Sequence, residues 1–382
     1  IGTFLNNAGA VFNMTGVTGN NTFYQAITNH GTINFSGTGT LTPNAGTSIT
    51  NSGSINLNAG QWDWNFPTTH TGVINIASGA TLNLTTGTCT LNAGSALSGT
   101  GIFRLGGATL AQNITWTNSS LAIVMAGGTW STSSGNVFTI DVGGTFNWSG
   151  GALGGPGTYA VDLGATLNMI TGGKTLNSTL TNNGTIAWSG GQLVGTGNIQ
   201  NASGGTLNIT FSGITNPLAV TVVNNGTINY THSGNFNTWF PFTNNGTLNV
   251  NSGQWHFNNS AVSSDGVLNI ATGAVVQVNV ATTLGASASI TGGGILRISN
   301  TLTQNFPWTV SIYAVELIGG TWNGSGAITF PATGIFNWTA GTLSGTGGYS
   351  VDTGASISIY TTNTKTVGGT LTNNGTINWS GG

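Results

Sequence analysis

A short motif returns about every 20 residues along this chain of 382 residues. Its clearest copies occupy residues 31–35, 226–230 and 375–379, where Gly-Thr-Ile-Asn is followed by Phe, Tyr or Trp. A fixed period of this length is typical of a repeat architecture, in which each repeat stacks on its neighbours. Chain length alone would suggest two or three domains. The repeat overrides that estimate, because stacked repeats form one continuous body.

The motif has the alternation of a half-buried strand. The positions on either side of the Asn column are large and apolar in every copy, as Ile228 and Tyr230 are around Asn229. This alternation places both apolar side chains on one face of a strand, and no helical pattern separates successive strands. We therefore predict an all-β fold, a right-handed parallel β-solenoid of about 18 coils with about 20 residues per coil.

In such a solenoid the polar column faces solvent. Equivalent strands of successive coils would pair in register, so that like residues stack on one another. Arg104, Arg297 and Glu316 interrupt the column. The expected outward ladder consists of Asn34, Asn56, Asn75, Asn147, Asn208, Asn229, Asn249, Asn269, Asn337 and Asn378.

Glycine-rich tripeptides mark the corners between strands. Asn-Asn-Gly precedes the strand at residues 182–184 and 224–226, and Ser-Gly-Gly follows it at residues 189–191. Asn and Gly tolerate positive φ, so we interpret these tripeptides as corners.

A longer period lies on top of the short one. Gly-Gly-Thr-Trp at residues 127–130 recurs at residues 319–322, and one long coil between residues 75 and 104 recurs as well. We therefore predict two tandem units of about nine coils each, residues 1–195 and 196–382, which form one continuous body.

The composition excludes several classes of partner. Only 3% of the residues are charged and the formal net charge is -2, so no basic patch is available for a nucleic acid. No run of residues approaches the about 18 apolar residues of a membrane span. We expect no nucleic-acid partner and no membrane span in this segment.

Side chains that could carry out chemistry are sparse. Among the acids and histidines, Asp63 and His70 are the closest pair, and no nucleophile lies at a matched spacing. The single cysteine, Cys89, excludes an intrachain disulfide and favours a buried filler. We predict no catalytic residue, no cofactor and no metal site, and hence that the protein is not an enzyme.

Twelve tryptophans fall into two groups. One group lies in the apolar position after the Asn column, as Trp148 and Trp338 do, which favours core packing. The second group lies outside that strand, where two interpretations stay open: exposed platforms that contact glycans, or a second core column. This group consists of Trp62, Trp130, Trp255 and Trp322.

Two stretches carry a family resemblance. Leu-Thr-Asn-Asn-Gly-Thr-Ile at residues 180–186, and the same string continued by Asn-Trp at residues 371–379, resemble the repetitive β-helical stalks of very large bacterial surface proteins, namely haemagglutinin-like and autotransporter-like adhesins and giant surface-fibre proteins. The resemblance implies an extracellular, cell-surface rod with a structural or adhesive role, and it transfers no catalytic residues. The expected partners are further copies of the same unit, in the chain or head to tail, and surface glycans or neighbouring cells. Neither end carries a charged or helical cap, so we expect an excerpt of a longer protein.

Two other functions are compatible with the pattern. Thr-x-Asn pairs, such as Thr227 with Asn229, could form a flat outward array that binds ice or ordered water. A glycan-binding or polysaccharide-lyase type β-helix is the other alternative, although it would require an acid–base pair.

Overall fold

The computed structural model describes residues 2–17, 20–23, 25–37, 40–43, 47–211, 220–258 and 262–381. Every regular element in these ranges is a β-strand, and the strands pair in parallel between successive coils, as the prediction requires. The chain divides into two compact units, Ile1–Asn198 (unit 1) and Ile199–Gly382 (unit 2). The described strands make a parallel β-solenoid of about 17 turns in all.

Each coil is built from three strands. In unit 1 the chain passes through Thr68–His70, Val73–Ile76 and Ala80–Leu84 before Thr88–Leu91 pairs with the first of them. Thr68 lies opposite Cys89 and His70 opposite Leu91, so one coil takes 21 residues here. Each unit therefore has three sides, and we call them sides A, B and C in unit 1 and sides D, E and F in unit 2.

The strands of unit 1 are grouped by side. Side A contains Thr3–Asn6, Ala26–Asn29, Ile49–Asn51, Thr68–His70, Thr88–Leu91, Thr109–Gln112, Thr129–Thr132, Gly151–Gly154, Lys174–Leu176 and Leu193–Val194. Side B contains Val11–Val17, Thr32–Gly37, Ser54–Leu57, Val73–Ile76 and Ala96–Gly99, and then Trp116–Asn118, Val137–Ile140, Thr158–Val161 and Thr179–Asn182. Side C contains Asn20–Phe23, Thr40–Pro43, Gly60–Trp64, Ala80–Leu84, Ile102–Leu105, Ala122–Met125, Thr145–Trp148, Thr166–Met169 and Thr185–Trp188.

The strand Asn198–Asn201 contains the division between the units, and the remaining strands belong to unit 2. Side D contains Thr206–Ile209, Thr227–Tyr230, Thr247–Val250, Val267–Ile270 and Ser289–Gly292, and then Trp308–Thr309, Ile328–Phe330, Tyr349–Val351 and Leu371–Asn373. Side E contains Asn235–Thr238, Gln254–Phe257, Val275–Val278, Ile295–Ile298, Ala314–Leu317, Ile335–Trp338, Ser356–Ile359 and Thr376–Trp379. Side F contains Thr221–Asn224, Phe242–Asn244, Val262–Ser264, Thr282–Leu284, Leu302–Gln304, Thr321–Asn323, Gly341–Leu343 and Lys365–Val367.

The interior of each unit consists of stacked apolar columns. In unit 2, Ile228 lies between Leu207 and Leu248 in register, and all three side chains are buried. Tyr230 and Val250 form the next column of the same side and are 0% exposed. Burying one such side chain stabilises the fold by about 1.5–3 kcal/mol, and strand alternation repeats this contribution at every coil.

The predicted long coil is wrong. Asn75 pairs with Ser98 on side B, whereas Arg104 pairs with Asn83 on side C, so the motif changes sides between residues 75 and 104 while the coils keep their size. The same change occurs in unit 2, where Asn269 pairs with Thr291 on side D. There, Arg297 pairs with Gln277 on side E. The physical reason is that any side of a three-sided coil can bury the same apolar–polar–apolar strand.

The Asn-Asn-Gly tripeptides lie at corners between strands, as predicted, but they do not use positive φ. In the described ranges, positive φ outside glycine occurs only at Thr361, and Gly184, Gly226 and Gly246 do not adopt it. Glycine is required there because the coils approach closely: a Cβ added at Gly246 would lie 2.1 Å from the Gly226 carbonyl oxygen. The Ser-Gly-Gly corners do use positive φ, as Gly191 does at 75°.

Candidate functional site

The outward ladder exists, and it is divided among four sides. The first run lies on side B, where Asn34 donates to Asn13 Oδ1 and Asn56 donates to Asn34 Oδ1, both at 2.8 Å. Asn34 and Asn56 thus stack in adjacent coils, as predicted. Asn75 follows Asn56 in the same column. The remaining members lie on side C (Asn147), side D (Asn208, Asn229, Asn249 and Asn269) and side E (Asn337 and Asn378).

The longest run of the ladder lies on side D. Asn229 donates to Asn208 at 2.9 Å, Asn249 to Asn229 at 2.8 Å, and Asn269 to Asn249 at 3.1 Å. The two middle amides, Asn229 and Asn249, therefore each use one N–H and one carbonyl lone pair inside the ladder, and they keep the others for solvent or a ligand. Amides neither ionise nor attack substrates, so this surface can bind by hydrogen bonds and cannot act as an acid, base or nucleophile.

Threonine side chains run beside the amides on side D. Thr206, Thr227 and Thr247 stack in register two residues before Asn208, Asn229 and Asn249, and Val267 ends the column. The result is a Thr-x-Asn array of three coils, with an approximate spacing of 4.8 Å between coils.

The four tryptophans considered as glycan contacts are core residues. Trp62 and Trp255 are 1% exposed, and Trp130 and Trp322 are 0% exposed. A ring without an exposed face cannot stack on a sugar, so the glycan-contact interpretation is wrong. The rings are core residues, as the alternative interpretation holds, but they lie on four different sides rather than in one second column. They point inward because alternation in their own strands, on sides A, C, E and F, places them there.

Two of these rings belong to a buried polar cluster that recurs in both units. In unit 1, Trp130 Nε1 donates to Gln112 Oε1 at 2.8 Å, and the Tyr159 hydroxyl donates to the Trp130 carbonyl at 2.6 Å. In unit 2, Trp322 donates to Gln304 at 3.3 Å, and Tyr349 donates to the Trp322 carbonyl at 2.5 Å. Burial raises the pKa of Tyr159 to about 12, so the phenol is neutral and structural.

A second set of amides lies in the interior, and the sequence analysis missed it. Asn224 donates to Asn244 Oδ1 at 2.7 Å and also to the Thr247 carbonyl at 3.1 Å. Asn201 makes the same pair of bonds one coil earlier, and the column ends at Ser264. The signal is the first Asn of Asn-Asn-Gly, which lies two residues after an inward Val222 and is therefore inward itself. An equivalent column in unit 1 consists of Asn6, Asn29 and Asn51.

The structure does not bring Asp63 and His70 together as an acid–base pair. Asp63 lies on the outer face of side C, where Gln61 and Asn83 each donate to Oδ1 at 2.7 Å. His70 is 0% exposed and stacks on Trp64, with ring centroids 5.0 Å apart and planes 7° apart. Burial lowers the pKa of His70 to about 3, so its ring is neutral at ordinary pH.

Some of the other ionisable groups are buried or held by structural contacts. The ammonium of Lys174 donates to the carbonyls of Ile170, Gly172 and Gly190, and burial lowers its pKa to about 8. Arg297 Nε lies 2.7 Å from Glu316 Oε2 on side E. Cys89 is a free, buried thiol whose pKa is raised to about 12 by burial, which makes it unreactive.

Shallow polar grooves occur at one kind of corner in each unit. In unit 1 a groove of about 280 Å³ crosses three coils and is lined by Thr158, Asn177, Thr179 and Thr196. In unit 2 a groove of about 230 Å³ lies at the corresponding place in the second copy of the long repeat, beside Gly348 and Thr370. Hydroxyl, amide and backbone groups line the groove of unit 1, whereas the groove of unit 2 is also lined by Tyr349 and the apolar Ile328.

The described ranges contain no cluster of three or more His, Cys, Asp or Glu side chains that could hold a metal ion. Within the same ranges, no helix is long and apolar enough to cross a membrane. No protein-family model matches the sequence, and no curated protein matches it. The fold is a parallel β-solenoid whose outer columns are mostly uncharged.

Proposed function

We infer that this chain is a structural repeat segment of an extracellular fibre or adhesin on a bacterial surface. The observation that carries this proposal is the difference between the inward and outward residues of each coil. Inward positions are filled mostly by apolar stacks and hydrogen-bonded amides, and outward positions mostly by Thr, Asn and Ser. Such a chain uses its whole length for cohesion between coils, which is what a structural segment requires.

The low charge supports a role outside the cell, where salt varies. Cohesion between coils comes from backbone hydrogen bonds, hydrogen bonds between side-chain amides, and apolar contacts. Salt screens these interactions little. The ion pair of Arg297 and Glu316 is half-exposed and contributes little to stability.

The adhesive part of the proposal has three candidate surfaces. These are the polar grooves near Thr179 and Thr370 and the Asn ladder of side D, all of which offer uncharged hydrogen-bonding groups. Neutral glycans on neighbouring cells are the ligands that match this chemistry, because hydroxyl groups pair with amides and hydroxyls without charge. Further copies of the same repeat would be the structural partners.

Surface labelling tests the proposal directly. Antibodies raised against the purified segment are applied to intact source cells and to permeabilised cells, with a cytoplasmic protein as the control. We expect labelling of intact cells, on filaments or spikes that negative-stain microscopy resolves. Labelling that appears only after permeabilisation would rule out the extracellular role.

Ice binding remains a second candidate because of the Thr-x-Asn array on side D. Its three coils present Thr206, Thr227 and Thr247 beside in-register amides, which is a flat and repetitive hydrogen-bonding surface. Thermal hysteresis that is lost in Thr227→Lys and kept in Thr69→Lys, a change on side A, would favour this function. Absence of hysteresis in the unmodified protein would exclude it.

A further inference from the structure

Five Asn-Gly sequences occur in the chain, at residues 183–184, 225–226, 245–246, 323–324 and 374–375. This dipeptide has a characteristic reactivity. The backbone nitrogen of Gly can attack the side-chain carbon Cγ of the preceding Asn, because glycine has no Cβ to obstruct the approach. The reaction requires a free Gly N–H and a side-chain amide that can swing towards it. Hydrogen bonds to either group therefore decide which of the sequences reacts.

Four of the sequences have a bonded Gly N–H: at Asn374–Gly375 it donates to Asn373 Oδ1 at 3.2 Å, and the other three are restrained by the preceding coil. The Asn245 side chain donates to Asn225 Oδ1 at 2.9 Å, which restrains both corner amides. In all three, the Gly N–H donates to a backbone carbonyl one coil earlier: Gly184 to Val161 (3.0 Å), Gly226 to Asn201 (3.1 Å) and Gly246 to Asn224 (2.9 Å).

Asn323–Gly324 lacks both restraints. In the described part of the chain, Gly324 N–H donates no hydrogen bond and the Asn323 side chain makes none. Gly324 has a φ of 136°, and both residues are half-exposed at the end of the strand Thr321–Asn323. The corner is thus half-exposed and contacts both neighbouring coils: a Cβ added at Gly324 would lie 1.8 Å from the Gln304 carbonyl oxygen, and Thr346 N–H donates to the Gly324 carbonyl at 3.0 Å.

We propose that Asn323–Gly324 is a site of spontaneous deamidation, independently of the function proposed above. Hydroxide removes the Gly324 N–H proton, and the nitrogen forms a bond to Asn323 Cγ. The bond from Cγ to the side-chain nitrogen breaks, and ammonia leaves. Water then opens the resulting succinimide at one of its two carbonyls and gives aspartate or isoaspartate, so water is the only other reactant.

The product changes the structure where it forms. Either product adds a negative charge to a chain in which 3% of the residues are charged. Isoaspartate also lengthens the backbone by one methylene between two carbonyls that hold the next coil: Trp322 O accepts from Ser344 N–H at 2.9 Å, and Gly324 O accepts from Thr346 N–H. Deamidation would therefore loosen the stacking of this coil on the next.

Site-resolved mass spectrometry tests the proposal. The folded chain is held in mildly alkaline buffer, digested under acidic conditions, and analysed for conversion of Asn to Asp and isoaspartate at each site. We expect Asn323 to convert about tenfold or more faster than Asn183, Asn225 and Asn245, because each of those must first break at least one hydrogen bond. In denaturant the four rates should become similar. Equal rates in the folded chain, or faster conversion at Asn225 or Asn245, would overturn the proposal.

The chain offers a matched control variant. Gly-Gly-Thr-Trp precedes Asn323 in one copy of the long repeat and Ser131 in the other, so Asn323→Ser introduces the residue that the equivalent position already carries. This variant should keep the thermal stability of fresh protein and should lose the acidic species that accumulates on ion exchange during incubation. Persistence of that species at an unchanged rate would place the reactive site elsewhere and refute the proposal.

Discussion

Substitution of neighbouring residues on side D gives the sharpest test of which way the strand faces. Ile228 is 1% exposed between Leu207 and Leu248, whereas Asn229 lies half-exposed in the outward ladder. Ile228→Asp removes about 1.5–3 kcal/mol of apolar burial and leaves a polar group without a partner inside the stack. An uncompensated buried charge costs about 3–5 kcal/mol, so we expect a total loss of about 4 kcal/mol or more.

Asn229→Asp should cost far less. The new carboxylate cannot make the hydrogen bond that Asn229 donates to Asn208. It can still accept a hydrogen bond from the side-chain amide of Asn249, whose nitrogen lies 2.8 Å from the Asn229 oxygen in the unmodified chain. Because the site is open to water, the net loss should be about 1 kcal/mol. Ile228→Val is the control for a conservative change in the same column, with an expected cost of about 0.5–1.5 kcal/mol.

Urea unfolding followed by tryptophan fluorescence measures the three variants against the unmodified chain. Solenoids can unfold coil by coil, so hydrogen exchange of the strand Thr227–Tyr230 supplies the local readout. Ile228→Asp should abolish protection of this strand, and Asn229→Asp should leave most of it. Similar losses for the two aspartate variants would show that the strand does not bury Ile228, and the assignment of faces would fail.

Three further outcomes follow from the packing. Burial lowers the pKa of His70 to about 3 from an unfolded value of 6.5, so the stability that its neutral form allows is present above pH 6.5 and falls by about 1.4 kcal/mol per pH unit as pH drops towards 3. The acid unfolding midpoint of the His70→Asn variant should therefore lie at lower pH than that of the unmodified chain. Gly246→Ala should destabilise by about 1–3 kcal/mol in thermal melts because its Cβ would strike a carbonyl at 2.1 Å, whereas Gly173→Ala, with open space around it, should change little. Raising salt should leave the urea midpoint almost unchanged, and Glu316→Gln should cost less than about 1 kcal/mol since its partner Arg297 is half-exposed.

Strand alternation could be read from the sequence, but the side of the coil could not. Ile228 and Tyr230 point inward because period-two alternation allows only two faces, and large apolar residues on one of them leave a single stable choice. Alternation says nothing about which of three sides a strand occupies. Arg104 therefore belongs to the same sequence column as Asn75 and yet pairs with Asn83 on another side. Counting strands from corner to corner, rather than copies of one motif, would have revealed the change.

Residue type alone also hid the roles of asparagine. Asn224, Asn225 and Asn229 lie within six residues of one another, yet the first is 0% exposed, the second is exposed at a corner, and the third is half-exposed in a ladder. Each environment follows from distance to the nearest inward apolar residue: Val222 fixes Asn224 as inward, and Ile228 fixes Asn229 as outward. An inward amide needs every bond satisfied, since an unpaired buried polar group costs about 1–3 kcal/mol. Stacked coils meet that demand with an identical amide above and below, so a solenoid can hold a polar column in its interior where a fold without repetition would need a different partner for each residue.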